Sequence, residues 1–401
     1  MLQAFFDNRS QRAKGDILAN KNPVNVGVLF SETGVTSSIE SSQLYGTLFA
    51  IDQINEAGGI DGRELVPIRR DPRSTPSAYA ALAERLITED DVQVIFGCYM
   101  SSTRKAVIPV VERRNRLLFY STLYEGFEFS NHLIYTGASP NQNSVQLAEF
   151  MTSAFGPRVY LVGSDYIYPY ESNRIMADLV SQYPGGRKVG ERYVRLDSNN
   201  EDFADIMTDI RKVRPDFIFS TVVGNATQHF YRAYAEAGFD PSDMPIGSLT
   251  TTEVELAQMG PGVSAGHFTS APYFQSLDNE VNFAAIARFN ERFPGCAVPN
   301  ACWEAAYFQV HLFANAMRRS GSDDIDALMP HLLGSSFDAP QGKISVERSN
   351  HHTHLYSRIG QATEKGQFNV VRSTRNAIYP DPYLVSHALG DTMLRMSPVE
   401  T

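Results

Sequence analysis

Little in this 401-residue chain suits a metal, a membrane span or a nucleic acid. It has only three cysteines, Cys98, Cys296 and Cys302. Their odd number, and the lack of CxxC or CxxH spacing, argue against a disulfide framework and against a zinc site. A chain with free thiols sits more easily in a reducing compartment. No run approaches the ~18 apolar residues of a membrane span. Lys and Arg total 35 against 45 Asp and Glu, a net charge of −10, and the cations are thinly spread. No basic run can track a phosphate backbone, so direct nucleic-acid binding is not expected. G-x-G-x-x-G, G-x-x-x-x-G-K-[ST] and H-E-x-x-H are absent as well, and no cofactor is expected.

The N-terminus begins "MLQAFFDNRSQRAKG". A secretory leader needs a basic start and roughly 7–15 apolar residues. Here Phe5 and Phe6 run at once into Asp7, Asn8 and Arg9. The reading is therefore a cytoplasmic chain with residues 1–23 as an N-terminal extension, the alternative being a periplasmic chain from which a signal peptide was removed.

What is present is a rhythm. "VNVGVLF", "ELVPIR", "VQVIFG" and "LLFYST" are strand candidates. Amphipathic stretches such as "SQLYGTLFAIDQINEAGGI" and "SSTRKAVIPVVERRN" separate them. The same βα alternation restarts at "RVYLVGSD" and continues through "FIFSTVVG" to "MPIGSLTT". Alternation of this kind predicts an α/β fold of two lobes, each a parallel sheet flanked by helices. Open α/β sheets bind ligands beyond the carboxyl ends of their strands. Those ends read CYMSS, YST, GSDY, STVVG and SLTT, all rich in hydroxyls. Their convergence predicts a small polar pocket between the lobes.

Two motifs compete with that reading. Ser102 to Lys105 matches the S-x-x-K of serine β-lactam enzymes, but the companion S-D-N and K-T-G elements are missing. The plainer reading is a helix start at which Ser101 and Ser102 cap free N–H groups. Such a start can also meet a ligand carbonyl. His351, His352 and His354 in "SNHHTH" have no acidic or cysteine partner at useful spacing, so a solvated loop is expected rather than a metal site.

From about Val24 to Tyr383 the chain resembles the type I periplasmic-binding-protein family, in its amide and urea receptor branch. The resemblance rests on "GVLFSETGVTSSIE", "INEAGGIDGR", "GCYMSSTRKAVIPVVE", "YEGFE", "PNQNS", "VGSDYIYPYESN", "FSTVVGN", "FDAPQGKISVE" and "YPDPY". It implies a ligand held in the interlobe cleft and no catalysis. Within the branch, "LFSETGVT" and "STVVG" look closer to cytoplasmic amide sensors that restrain an RNA-binding antiterminator. The family pocket would fall on Tyr99, Ser101, Tyr120, Thr122, Tyr166 and Val222, with Thr250 or Thr251. Ser121 stands where the sensors would carry proline.

The resemblance implies a neutral amide or urea as ligand and the antiterminator as partner, and leaves a homo-oligomer open. Its lobes would comprise residues 24–138 with 267–343, and 139–266 with 344–401. The competing reading is a receptor for an ABC transporter, taking urea, short amides or branched-chain amino acids. An amino acid would require a carboxylate for its ammonium group, for which Asp165 and Glu253 are the nearby candidates.

Overall fold

The structure is a computed structural model, and it describes residues 22–385 and the strand Met396–Pro398. Val24–Leu29 is nearly all valine, glycine and leucine, and is buried along most of its length. That suits a central parallel strand covered on both faces. It pairs with Leu65–Arg70 on one side and Val94–Gly97 on the other. Leu117–Tyr120 and Leu133–Tyr135 extend the order to five parallel strands.

The helices Ser37–Glu56, Pro76–Thr88 and Ser101–Arg114 make the crossovers. A late helix, Ala301–Ser320, returns to pack on Ser37–Glu56. Gly46 permits that approach, because a Cβ there would lie 2.4 Å from the Trp303 carbonyl oxygen.

Among the described residues the second sheet has eight strands. Its parallel part is Arg187–Val194, Arg158–Ser164, Phe217–Thr221, Ile246–Ser248 and Phe268–Ala271. Arg358–Ala362, Phe368–Thr374 and Met396–Pro398 continue it in antiparallel fashion. The helix Pro140–Ala154 is buried on nearly every face. A capping box of Ser139 and Gln142 starts it, and Gln142 Nε2 also donates to the carbonyls of Thr353 and Ile378, at 2.9 and 3.0 Å. The first crossing between lobes is thereby tied to the last.

Strand pairing places two crossings later than the sequence reading. Phe268–Ala271 lies inside the second sheet, although residues from 267 on were assigned to the first lobe. Its short polar sequence reads as linker, but its backbone groups are used on both sides. The passage at 344 also shifts. Gly342–Val346 is held in a hairpin with Ser336–Ala339, and His352 bridges to Tyr135 at the edge of the first sheet. The chain enters the second sheet only at Arg358. The expected extension covers residues 1–23, of which 1–21 lie outside the described residues, as does the stretch read for a leader.

Candidate ligand-binding cleft

The two sheets point their strand ends at each other. Gly97 ends one strand, and Cys98 follows with φ +71, a left-handed conformation unusual for a side chain with Cβ. This sharp turn puts Tyr99 and Met100 ahead of the helix Ser101–Arg114. Met100 holds the N-cap position and supplies no side-chain cap. The sequence reading made Ser101 and Ser102 the caps; they are instead the first two helical residues. The N–H groups of that first turn are therefore not satisfied by a capping side chain.

Between the lobes lies a cavity with about 210 Å³ of empty space, lined by Tyr99, Ser101, Thr122, Leu123, Tyr166, Tyr168, Val223 and Thr250. Of the residues expected from the sequence, Tyr99, Ser101, Thr122, Tyr166 and Thr250 are brought together here. Tyr120 lies behind, donating its hydroxyl to the Tyr99 carbonyl at 2.6 Å. Val222 is fully buried, and its carbonyl accepts from Thr250 Oγ1 at 3.1 Å and Thr227 Oγ1 at 3.0 Å. Thr251 is bonded to Tyr231 in the second lobe, at 3.0 Å. These three hold the wall rather than line it.

The lobes touch around this space. Asn225 N donates to the Val35 carbonyl across the cleft, at 3.2 Å. Ile39, Tyr99, Met100 and Cys302 of the first lobe pack with Val254 of the second. Among the described residues, none lining the cavity carries a charge. Asp165 accepts from the exposed Tyr170 hydroxyl at 2.8 Å, and Glu253 accepts from Gln275 N at 2.7 Å. Neither carboxylate lines the cavity.

Several polar groups in the wall are already engaged. Gln43 Nε2 donates to Ser121 Oγ at 2.9 Å and to Thr122 Oγ1 at 2.8 Å. Ser101 Oγ donates to Glu125 Oε2 at 2.5 Å and accepts from Arg104 Nη1 at 3.1 Å. Gln43 Oε1 makes no hydrogen bond within the protein, and neither, beyond a contact with Ser172, does the hydroxyl of Tyr168, which is 3% exposed. Burial drives its pKa far up, and Ser172, one turn along, offsets only part of this. A buried hydroxyl left unpaired is costly, and its position in the cavity wall points to a ligand.

Behind Ser101 is a buried ionic cluster. Arg104 has no exposed surface and lies 4.7 Å from the ring centroids of both Tyr120 and Tyr124. It pairs with Glu125 at 3.1 Å and Glu128 at 2.7 Å, and Lys105 adds a bond to Glu128 at 2.8 Å. Burial acts to raise the Glu128 carboxyl, but Arg104 and Lys105 hold it below its ordinary value. Sequence reasoning used "YEGFE" and "TRKAV" only as marks of resemblance. Their 21-to-24-residue separations give no local sign that they meet.

The competing motifs resolve differently. Lys105 is paired with Glu128 rather than with Ser102, so the S-x-x-K spacing provides no free amine base. G-x-S-x-G, expected to be absent, does occur at Gly262–Gly266, but it overlaps the short helix Pro261–Ser264, where Ser264 Oγ donates to the Gly260 carbonyl at 3.1 Å. That is not a strand-to-helix elbow.

The histidine loop is not solvated as expected. His351 and His352 are buried, and His352 stacks on Tyr135 at 4.1 Å and bonds the Tyr124 hydroxyl at 2.6 Å. Burial lowers its pKa to about 3. His354 pairs with Glu347 at 3.0 Å. Among the described residues no cluster of His, Cys, Asp or Glu could hold a metal, and no helix is long and apolar enough to cross a membrane. A larger open groove on the first lobe, about 700 Å³, is lined by ion pairs such as Arg292–Asp52 at 2.7 Å and is a solvated surface.

Comparison with known proteins agrees with this geometry. A Leu/Ile/Val-binding protein homolog of Brucella melitensis is 23% identical over 341 residues, 80% of this chain and 86% of the relative. A shorter match, 31% over 128 residues, is to a protein named limonene hydroxylase of Geobacillus stearothermophilus; the chain spans 23% of that relative's length. An ABC-transporter solute-binding protein of Rhodopseudomonas palustris, solved with p-hydroxybenzoic acid, superposes with a TM-score of 0.80 at 20% identity, covering 91% of this chain and all of that one. The model of the periplasmic binding protein domain matches residues 24–388, and the chain belongs to that family, with its two-lobed type I fold.

Proposed function

We propose that this protein is a solute receptor whose interlobe cleft takes a small neutral ligand of the amide or urea class for a membrane transporter. The observation that carries the ligand class is the cleft wall: hydroxyls and tyrosine rings, with no charge among its described residues. An amino acid would leave its ammonium without a carboxylate partner.

The ligand would lie between Ser101 and the first helical turn on one lobe and Tyr168 and Thr250 on the other. A ligand touching both lobes favours their apposition over an open arrangement, and can do so only by its preference for that state. The main-chain N–H groups of the helix N-terminus carry partial positive charge and suit a carbonyl oxygen, which leaves the Ser101 side chain to the group beside that oxygen.

The Leu/Ile/Val-binding homolog and the ABC-transporter solute-binding protein named above are binding proteins by name, which favours a transporter receptor outside the cytoplasm over the cytoplasmic sensor with an antiterminator partner expected from the sequence. Fractionation of the native host tests this: recovery in the extracytoplasmic fraction supports the receptor. Recovery in the cytosol with a basic RNA-binding protein would restore the sensor. Calorimetry with acetamide, butyramide, urea, leucine and p-hydroxybenzoate tests the ligand class.

A further inference from the structure

We infer that Glu125 fixes the polarity of Ser101, so that the cleft selects ligands offering an N–H donor at that end. The inference rests on the amide-class reading above and specifies how that class is recognised. A serine hydroxyl has one proton and two lone pairs. The Ser101 proton goes to Glu125 Oε2 at 2.5 Å. One lone pair takes the proton of Arg104 Nη1 at 3.1 Å. The remaining lone pair is the only capacity left, and Ser101 lines the cavity.

The sequence reading had Ser101 donating to a ligand carbonyl. The cluster behind it opposes that. Turning the hydroxyl into the cavity would leave Glu125 Oε2 buried without this partner, in a residue only 3% exposed. Glu125 cannot follow, because Arg104 Nη2 holds its other oxygen at 3.1 Å. Arg104 in turn is clamped between two tyrosine rings and bonded to Glu128, whose Oε1 also accepts from the Tyr135 hydroxyl at 3.1 Å. Two cations, Arg104 and Lys105, balance two carboxylates, Glu125 and Glu128, so the cluster asks for no charge on the ligand.

Ser101 is thus a fixed acceptor. A primary amide or urea fills it with N–H, whereas a ketone, ester or carboxylate would face it with oxygen lone pairs or a methyl group. Sites built to bond a substrate N–H or O–H reject analogues lacking it far more strongly than apolar pockets reject a missing methylene.

The test uses acetamide and acetone, which differ chiefly in NH₂ against CH₃. Direct and competition titrations would give the acetamide-to-acetone affinity ratio for wild type, Glu125→Gln and Ser101→Ala. Wild type should favour acetamide by at least about tenfold. In Glu125→Gln the side-chain oxygen can stay on Arg104 while its NH₂ faces Ser101, which frees the serine proton for the cavity. The ratio should then fall by about tenfold, with acetone gaining as acetamide loses. Ser101→Ala removes the acceptor without touching the ion pairs, and its ratio should collapse too, which keeps the idea testable if Glu125→Gln folds poorly. A merely structural role for Glu125 would weaken both ligands alike; an unchanged ratio in both variants overturns the inference. Wild type that binds neither probe nor urea would instead overturn the amide reading on which it stands.

Discussion

Replacing Tyr168 by phenylalanine should stabilise the empty protein and weaken its ligand, two effects of opposite sign from one atom. The Tyr168 ring is packed in the cleft wall at 3% exposure, and beyond a contact with Ser172 its hydroxyl makes no hydrogen bond within the protein. Leaving such a group unsatisfied costs about 1–3 kcal/mol. Tyr168→Phe removes the oxygen and keeps the ring, so the ligand-free protein should gain roughly that amount. In the complex the wild-type hydroxyl is satisfied by ligand, and the variant loses that bond. The affinity loss should therefore be at least as large as the stability gain, about 5- to 150-fold for 1–3 kcal/mol. Denaturant melts without ligand give the first quantity, provided the slope with denaturant is unchanged. Calorimetry with acetamide or urea gives the second. A variant that is less stable when empty and binds with undiminished affinity would show that the hydroxyl is structural, and would refute the reasoning.

Other perturbations bear on the frame around the cleft. Arg104→Met should destabilise the protein by about 3–5 kcal/mol in a denaturant melt, because it strands the buried Glu125 and leaves Glu128 with Lys105 as its one cation. Gly46→Ala should cost about 1–3 kcal/mol by pushing the Ser37–Glu56 helix off Trp303, and an unchanged midpoint would contradict the packing described. Stability should fall as pH rises from about 6.5 to 8. Burial raises the carboxyl pKa of Glu40, Glu255 and Glu304 to about 7 and of Glu253 to about 8. The folded state therefore holds protons in this window that the unfolded chain has already released, so the linkage slope is negative. His267 at about 3, His311 at about 4 and His352 at about 3 act in the opposite sense, but only below the unfolded histidine value near 6.5. A melting temperature that climbs steadily from pH 6.5 to 8 would count against these buried acids.

The first lobe was legible because its strands are apolar runs punctuated by glycine and its crossover helices are mostly amphipathic. Ser101–Arg114 was readable as helix even with Pro109 inside it. The helix Pro140–Ala154 was not, since it is buried almost all round and opens on Asn141, Gln142, Asn143 and Ser144, which mask the apolar positions Val145, Leu147, Ala148 and Met151. Leu133–Tyr135 was too short to register, and Phe268–Ala271 looked like linker because its membership depends on partners far along the chain.

The cleft was foreshadowed by hydroxyls at five strand ends, a local signal that parallel topology turns into one site. The polarity of Ser101 was not legible. It depends on Arg104 and Glu125, whose meeting is set by the loop after Tyr120, and on a proton assignment that no spacing encodes. Tyr168 was visible in "GSDYIYP", yet only packing shows that, beyond a contact with Ser172, its hydroxyl makes no hydrogen bond within the protein.

The most direct test is a calorimetric panel on the purified, ligand-stripped protein with acetamide, butyramide, urea, leucine and p-hydroxybenzoate, repeated with Ser101→Ala. The account predicts measurable binding of an amide or urea, a loss of about 0.5–1.5 kcal/mol or more in Ser101→Ala, and no comparable binding of leucine or p-hydroxybenzoate. Binding of leucine or p-hydroxybenzoate in preference to every amide, undisturbed by Ser101→Ala, would contradict it.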